Sequence, residues 1–228
     1  MQKNLQIITI ILGLCIGCTA EPKINIKASI SKYNLANEIY TKISKEHFFQ
    51  DQTLEKINPK LGKALIKQLD SQKIYFTNNE IVYFTNKFVS TSNDVEISTS
   101  YELVNLYFNR LIEATNYQIK AIQRKDFDFN ELEEILIEND LQKFRNTNIE
   151  LRNMWVKLAK NDVLTSMLTD KTEDEAIELI AKRYKNRLRR ISQRNEEDIF
   201  SIIMNSLTGL FDPHSSYMSP KTAEDFEM

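Results

Sequence analysis

From Ser31 to Leu210 the chain alternates stretches of helical periodicity with short polar breaks, and no long stretch carries the period-two alternation of a half-buried strand. The pattern predicts an all-α, multi-helix domain over residues 31–211. Tyr33, Ala36, Tyr40 and Ile43 mark the inner face of a first helix. A second is expected over Leu54 to Leu69, after the Asp51-Gln52-Thr53 break, with Asn58-Pro59 bending or restarting it because proline lacks an N–H and restricts the residue before it. Thr77-Asn78-Asn79-Glu80 has capping-box spacing, in which the hydroxyl accepts from the third helical N–H while the glutamate returns to the cap N–H. It opens a helix carrying Ile81, Phe84 and Phe88, which the polar run Ser90 to Asp94 ends.

Thr99-Ser100-Tyr101-Glu102 repeats the capping pattern and predicts the start of a long helix with the stripe Val104, Tyr107, Phe108, Leu111, Ile119 and Ile122. A turn over Asp126 to Asn130 precedes a shorter helix through Leu132, Ile135 and Leu136, and a polar break follows at Asn146 to Asn148. Leu151, Met154, Trp155 and Leu158 then share one face. Thr172-Glu173-Asp174-Glu175 is a third capping box, with Ile177, Ile180, Ala181, Tyr184, Leu188 and Ile191 inward, and Asn195 caps a last helix that stops at Gly209. Beyond it, Phe211-Asp212-Pro213-His214-Ser215-Ser216-Tyr217-Met218-Ser219-Pro220 breaks the pattern, since residues before proline avoid the α region. Residues 212–228 are therefore expected to leave the bundle as an extended segment.

The first twenty residues change the picture. Met1 and Lys3 precede an apolar run from Leu5 to Gly17, the pattern of an export leader and too short for a stable membrane span. Its end has two readings. Cys18-Thr19-Ala20 offers small residues for ordinary cleavage before Glu21, whereas Gly17-Cys18 resembles a lipobox that would leave Cys18 as a lipidated first residue. Both readings take the chain out of the cytoplasm, into the periplasm, free or lipid-anchored, with residues 21–30 as a linker. The two cysteines, Cys15 and Cys18, lie in this leader, so the mature chain is expected to rely on packing and not on disulfides. Thirty basic and thirty-two acidic residues give a formal charge of −2, which offers no overall attraction to nucleic acid or to an anionic membrane. Contact with a membrane is expected only through the leader or a lipid anchor.

Asp212, His214 and Ser215 are the residue types of a hydrolytic triad, but a triad sets its base between nucleophile and acid, and near neighbours in an extended loop point apart. The competing reading is a turn in which Asp212 and Ser215 bond nearby backbone. Two histidines, His47 and His214, without a Glu-x-x-His spacing predict no transition-metal site and no cofactor. Arg183, Arg187, Arg190 and Arg194 fall on one helical stripe, read as a solvated or salt-bridged face because acids gather at that helix's start and bases at its end, as the helix dipole favours. Asp162 lies seven residues after Trp155, where the stripe predicts a core position. A carboxylate there wants a partner, and Arg183 or Arg187 of the basic helix is the expected one, in a structural ion pair.

Several segments together resemble one family, the tail-specific or carboxy-terminal processing proteases of bacterial envelopes. They are Leu69-Asp70 with Lys73-Ile74-Tyr75-Phe76, Trp155 with Lys160-Asn161-Asp162, Lys182-Arg183-Tyr184-Lys185-Asn186-Arg187, and above all Asp212-Pro213-His214-Ser215-Ser216-Tyr217-Met218-Ser219-Pro220. The resemblance implies a helical N-terminal domain that precedes a PDZ domain and a catalytic domain with a Ser nucleophile and a Lys base. No residue here matches that Ser or Lys, so the chain is expected to stop before them and to be inactive alone. It would frame the protease core and help admit unfolded or C-terminally tagged envelope proteins, with the core or an envelope adaptor as further partners. A free-standing helical envelope lipoprotein that binds a partner is the alternative.

Overall fold

A computed structural model describes residues 23–46, 53–89, 93–125, 127–135 and 143–227. Among these residues the chain forms helices α1 (Ile30–Glu46), α2 (Leu54–Leu69), α3 (Asn78–Val89), α4 (Ile97–Arg124), α5 (Asn148–Met167), α6 (Glu173–Ser192), α7 (Glu196–Thr208) and α8 (Pro220–Glu227). The described residues contain no strand, only an isolated bridge between Thr77 and Arg145. None of the described helices is long and apolar enough to cross a membrane. Cys15, Cys18 and His47 lie outside the described residues.

The spine is α4, whose 28 residues span about 42 Å at 1.5 Å per residue. Its first half packs with α2, α3 and α7 in a core that includes Leu61, Leu65, Phe88, Leu103, Phe108, Phe200 and Ile203. Its second half packs with α5 and α6, where Ile122, Ala159, Val163, Ile180 and Tyr184 form a separate cluster. Gly62 lets α2 and α3 close on each other, because a Cβ there would sit 2.5 Å from Phe88 Cδ2. Pro59 stands inside α2 without ending it.

Asparagine side chains hold the non-helical segments to this frame. Residues 23–29, expected as a linker, run along α4 instead. Asn109 accepts from the Ile24 N–H at 2.8 Å and donates to its carbonyl at 2.9 Å, and Asn105 does the same for Ile26 at 3.0 and 2.8 Å. Four residues separate the two amides, so they lie on one helix face and meet alternate residues of the segment. Ile24, Ile26 and Ala28 are thereby packed against the main core. Asn58 likewise brackets the start of α4, donating to Asp94 O and accepting from Glu96 N, each at 3.0 Å.

Three expectations about elements are corrected. Residues 131–135 are not helical, and Leu136 is outside the described residues. Leu132 is fully exposed, while the Glu131 carbonyl and the Glu133 carboxylate both accept from the buried Lys160 ammonium, at 3.2 and 2.8 Å. Satisfying that charge takes the backbone carbonyl that a helix would use. Helix α4 starts two residues before Thr99, because Thr99 and Ser100 are buried and the Ser100 hydroxyl donates to the Glu96 carbonyl at 2.6 Å, a bond made from inside a helix. The chain after residue 219 is not extended but forms α8. Pro220 opens it in the one turn that needs no proline N–H, and the Ser219 hydroxyl accepts from Thr222 N at 3.2 Å.

Candidate functional site

Helices α5 and α6 are both started by threonine caps. Thr147 accepts from Glu150 N, and Thr172 forms the expected capping box with Glu175. These starts fix the register in which Asp162 meets Tyr184, whose hydroxyl donates to Asp162 Oδ2 at 2.6 Å. The expected arginine partner is thus replaced by a tyrosine of the same helix. Among the described residues neither Arg183 nor Arg187 forms an ion pair with Asp162; Arg183 is exposed, and the Arg187 guanidinium stacks 4.9 Å from the Tyr184 ring centroid. A tyrosine hydroxyl satisfies the half-buried carboxylate without burying a second charge. Burial and the Asp162 acceptor both raise the Tyr184 pKa, so the hydroxyl remains a donor.

Trp155 is fully buried and its indole N–H donates to the Ile74 carbonyl at 2.7 Å, tying α5 to the loop between α2 and α3. Asp70 organises that loop. Its carboxylate accepts from the backbone N–H groups of Ile74, Tyr75 and Phe76 at 2.7, 2.9 and 2.9 Å, while Arg145 donates to the Lys73 carbonyl at 3.2 Å. Burial raises the Asp70 pKa, opposed by those three amides and by the charge of Arg145. A second polar link crosses three helices. Arg110 of α4 bonds Glu80 of α3 at 2.7 Å and Glu113 at 2.8 Å, and Arg152 of α5 bonds Glu113 at 2.9 Å.

The loop after α7 is held just as firmly. Asp212 Oδ1 accepts from the His214 backbone N–H at 3.0 Å, and its other oxygen from the Ser215 hydroxyl at 3.4 Å. Pro213 and the His214 side chain are exposed. The three residue types of a triad therefore form a turn: the carboxylate is engaged by the backbone and by the serine it would have to activate through the histidine. The Ser215 carbonyl accepts from Thr208 at 3.2 Å, and the Tyr217 N–H donates to Asn205 Oδ1 at 2.8 Å. The Tyr217 ring meets Phe200 edge-on at 5.3 Å, and its hydroxyl donates to Glu197 at 3.0 Å. Burial and that acceptor push the Tyr217 pKa up to about 12.

Between α4, α6 and α7, with the end of α2 at its edge, lies an open groove of about 300 Å³. Its apolar floor includes Leu69, Phe108, Leu111 and Ile202, and Arg187, Arg190 and Arg194 line one side. Arg194 pairs with Asp198 at 3.3 Å, and no described acidic residue forms an ion pair with Arg187 or Arg190. The basic stripe is therefore only partly neutralised.

Residues 39–221, a span that holds the Asp70 loop, the Asp162–Tyr184 pair and the Asp212–Tyr217 turn, match the family described as the tail specific protease N-terminal domain. The chain belongs to this family. It is also similar to the tail-specific protease of Haemophilus influenzae, with 26% identity over 190 residues, which is 82% of this chain and 27% of that protein. The chain thus spans about a quarter of its relative's length. Within this tail-specific protease domain, Asp70 and the Arg110 link carry packing that helical periodicity does not reveal. In the sequence Asp70 is marked by the Leu69-Asp70 segment of the family resemblance and by its place just after an apolar stripe and before a non-helical Lys-Ile-Tyr-Phe run.

Proposed function

We propose that this chain is the non-catalytic frame of a carboxy-terminal processing protease, acting in the periplasm to hold the protease core and admit unfolded envelope proteins. The observation that carries the non-catalytic part is the Asp212–Ser215 turn, in which the Asp212 carboxylate is taken by the His214 backbone N–H and the Ser215 hydroxyl, while the His214 imidazole is exposed. Family membership over residues 39–221 supports the link to the protease. The leader supports the periplasmic setting, through either cleavage before Glu21 or lipidation of Cys18. The partly neutralised groove supports contact with substrate, since an apolar floor with charged edges suits exposed polypeptide.

Mixing the purified chain with a reduced, carboxymethylated reporter protein and with the same reporter in its native fold tests the admission role. Co-elution with the unfolded reporter alone is the expected result on size-exclusion chromatography. Equal binding to both forms, or to neither, would contradict it.

A further inference from the structure

We propose that the groove between α4, α6 and α7 binds acidic-apolar segments of unfolded polypeptide, with Arg190 and Arg187 taking the carboxylates and the Phe108–Leu111–Ile202 floor taking the apolar side chains. The proposal rests on the admission reading above and names its site and chemistry.

The arrangement of charge selects the occupant. Arg187, Arg190 and Arg194 line the groove without an acidic residue among its lining, and among the described residues Arg194 alone is paired, with Asp198. Neutralising a helix C-terminus accounts for arginines in the last turn of α6, but it does not account for the partly exposed Leu111 and Ile202 beside them. The guanidiniums are also partly positioned before any ligand arrives. Arg187 stacks on Tyr184, itself fixed by Asp162, and the Arg194 guanidinium lies 6.0 Å from the Phe108 ring centroid. A stacked guanidinium loses less freedom when it takes a carboxylate.

The partly exposed Leu111 and Ile202 beside the arginines favour a polypeptide over a single anion. Arg187 and Arg190 stand three residues apart on α6, about 5–6 Å between Cβ atoms, close to the roughly 6.8 Å between alternate residues of an extended chain. Two acidic side chains two positions apart in an extended segment share a face and can therefore meet separate arginines. An inorganic anion or a single headgroup reaches one or two of them and leaves the floor uncovered.

The test uses the purified chain and a fluorescein-labelled, C-terminally amidated peptide of alternating Glu and Leu, read by fluorescence anisotropy. Binding is expected to weaken with added salt, to fall about tenfold or more in Arg187→Glu/Arg190→Glu, and to be lost for a Gln-Leu peptide. Arg190 is exposed, so the single variant Arg190→Glu is also expected to bind more weakly, and circular dichroism of both variants, expected to match the wild type, keeps a folding defect from mimicking the effect. Anisotropy unchanged by either substitution would overturn the groove assignment. So would binding to vesicles containing anionic lipid with none to the peptide. If the carboxymethylated reporter still binds while the peptide does not, the groove falls and the admission role stands; if neither binds, both fall.

Discussion

Glu113 shows how a single carboxylate joins elements that sequence periodicity treats separately. Burial alone would raise its pKa, but the hydrogen bonds and charges of Arg152 and Arg110 outweigh that and leave it below the ordinary 4.5. The folded state therefore binds this proton less tightly than the unfolded chain does. Its stabilisation is complete above the unfolded-state pKa and is lost as pH falls through the lower folded-state value. Urea unfolding of the wild type and Glu113→Gln should differ by roughly 1 kcal/mol at about pH 7, with the gap closing below about pH 4. A gap independent of pH would mean that packing, and not the ionised carboxylate, makes the link.

The same scale shows what residue types alone leave open. Asp162 was legible as a carboxylate in need of a partner on the next helix, and the partner does lie on α6. Charge suggested an arginine; geometry supplies Tyr184, because the inward face of α6 carries the tyrosine while Arg183 lies outward. Asp70 gave no comparable signal, since its three ligands are backbone amides and any sequence supplies those.

At the scale of elements, caps backed by a polar break were the readable features. Thr77, Thr172 and Asn195 each begin a helix at the expected place, and α2 has the expected bounds with Pro59 inside it. The Thr99 pattern misled because a buried threonine and serine can bond the preceding turn from within a helix, and the Leu132 pattern because the segment serves Lys160 and not an apolar face. The α2–α3 contact gives a direct check. Gly62→Ala gains helix propensity of about 1 kcal/mol, yet its methyl must displace Phe88, an overpacking cost of about 1–3 kcal/mol. Net destabilisation is expected in thermal unfolding, and the losses from Gly62→Ala and Phe88→Ala should be less than additive in the double variant, because removing the ring removes the overlap. A more stable single variant would show that the helices separate without cost.

Among the described residues, one long helix carries three core clusters, and the segments before and after the bundle are pinned to the bundle by Asn105, Asn109 and Asn205. The all-α class was legible throughout, because helical periodicity and caps repeat along the chain. The docking of residues 23–29 was not, since asparagines on a helix face read as ordinary solvated positions until a backbone is laid against them. The firm anchoring of the Asp212–Tyr217 turn follows the same logic: the Asp212 carboxylate bonds the His214 N–H and the Ser215 hydroxyl within the turn, which supports the proposed non-catalytic role. Mass spectrometry of a peptide with an apolar C-terminus, incubated with the purified chain, tests this most directly. The peptide is expected to remain intact with the wild type and with Ser215→Ala alike, whereas cleavage by the wild type that Ser215→Ala abolishes would contradict a non-catalytic frame.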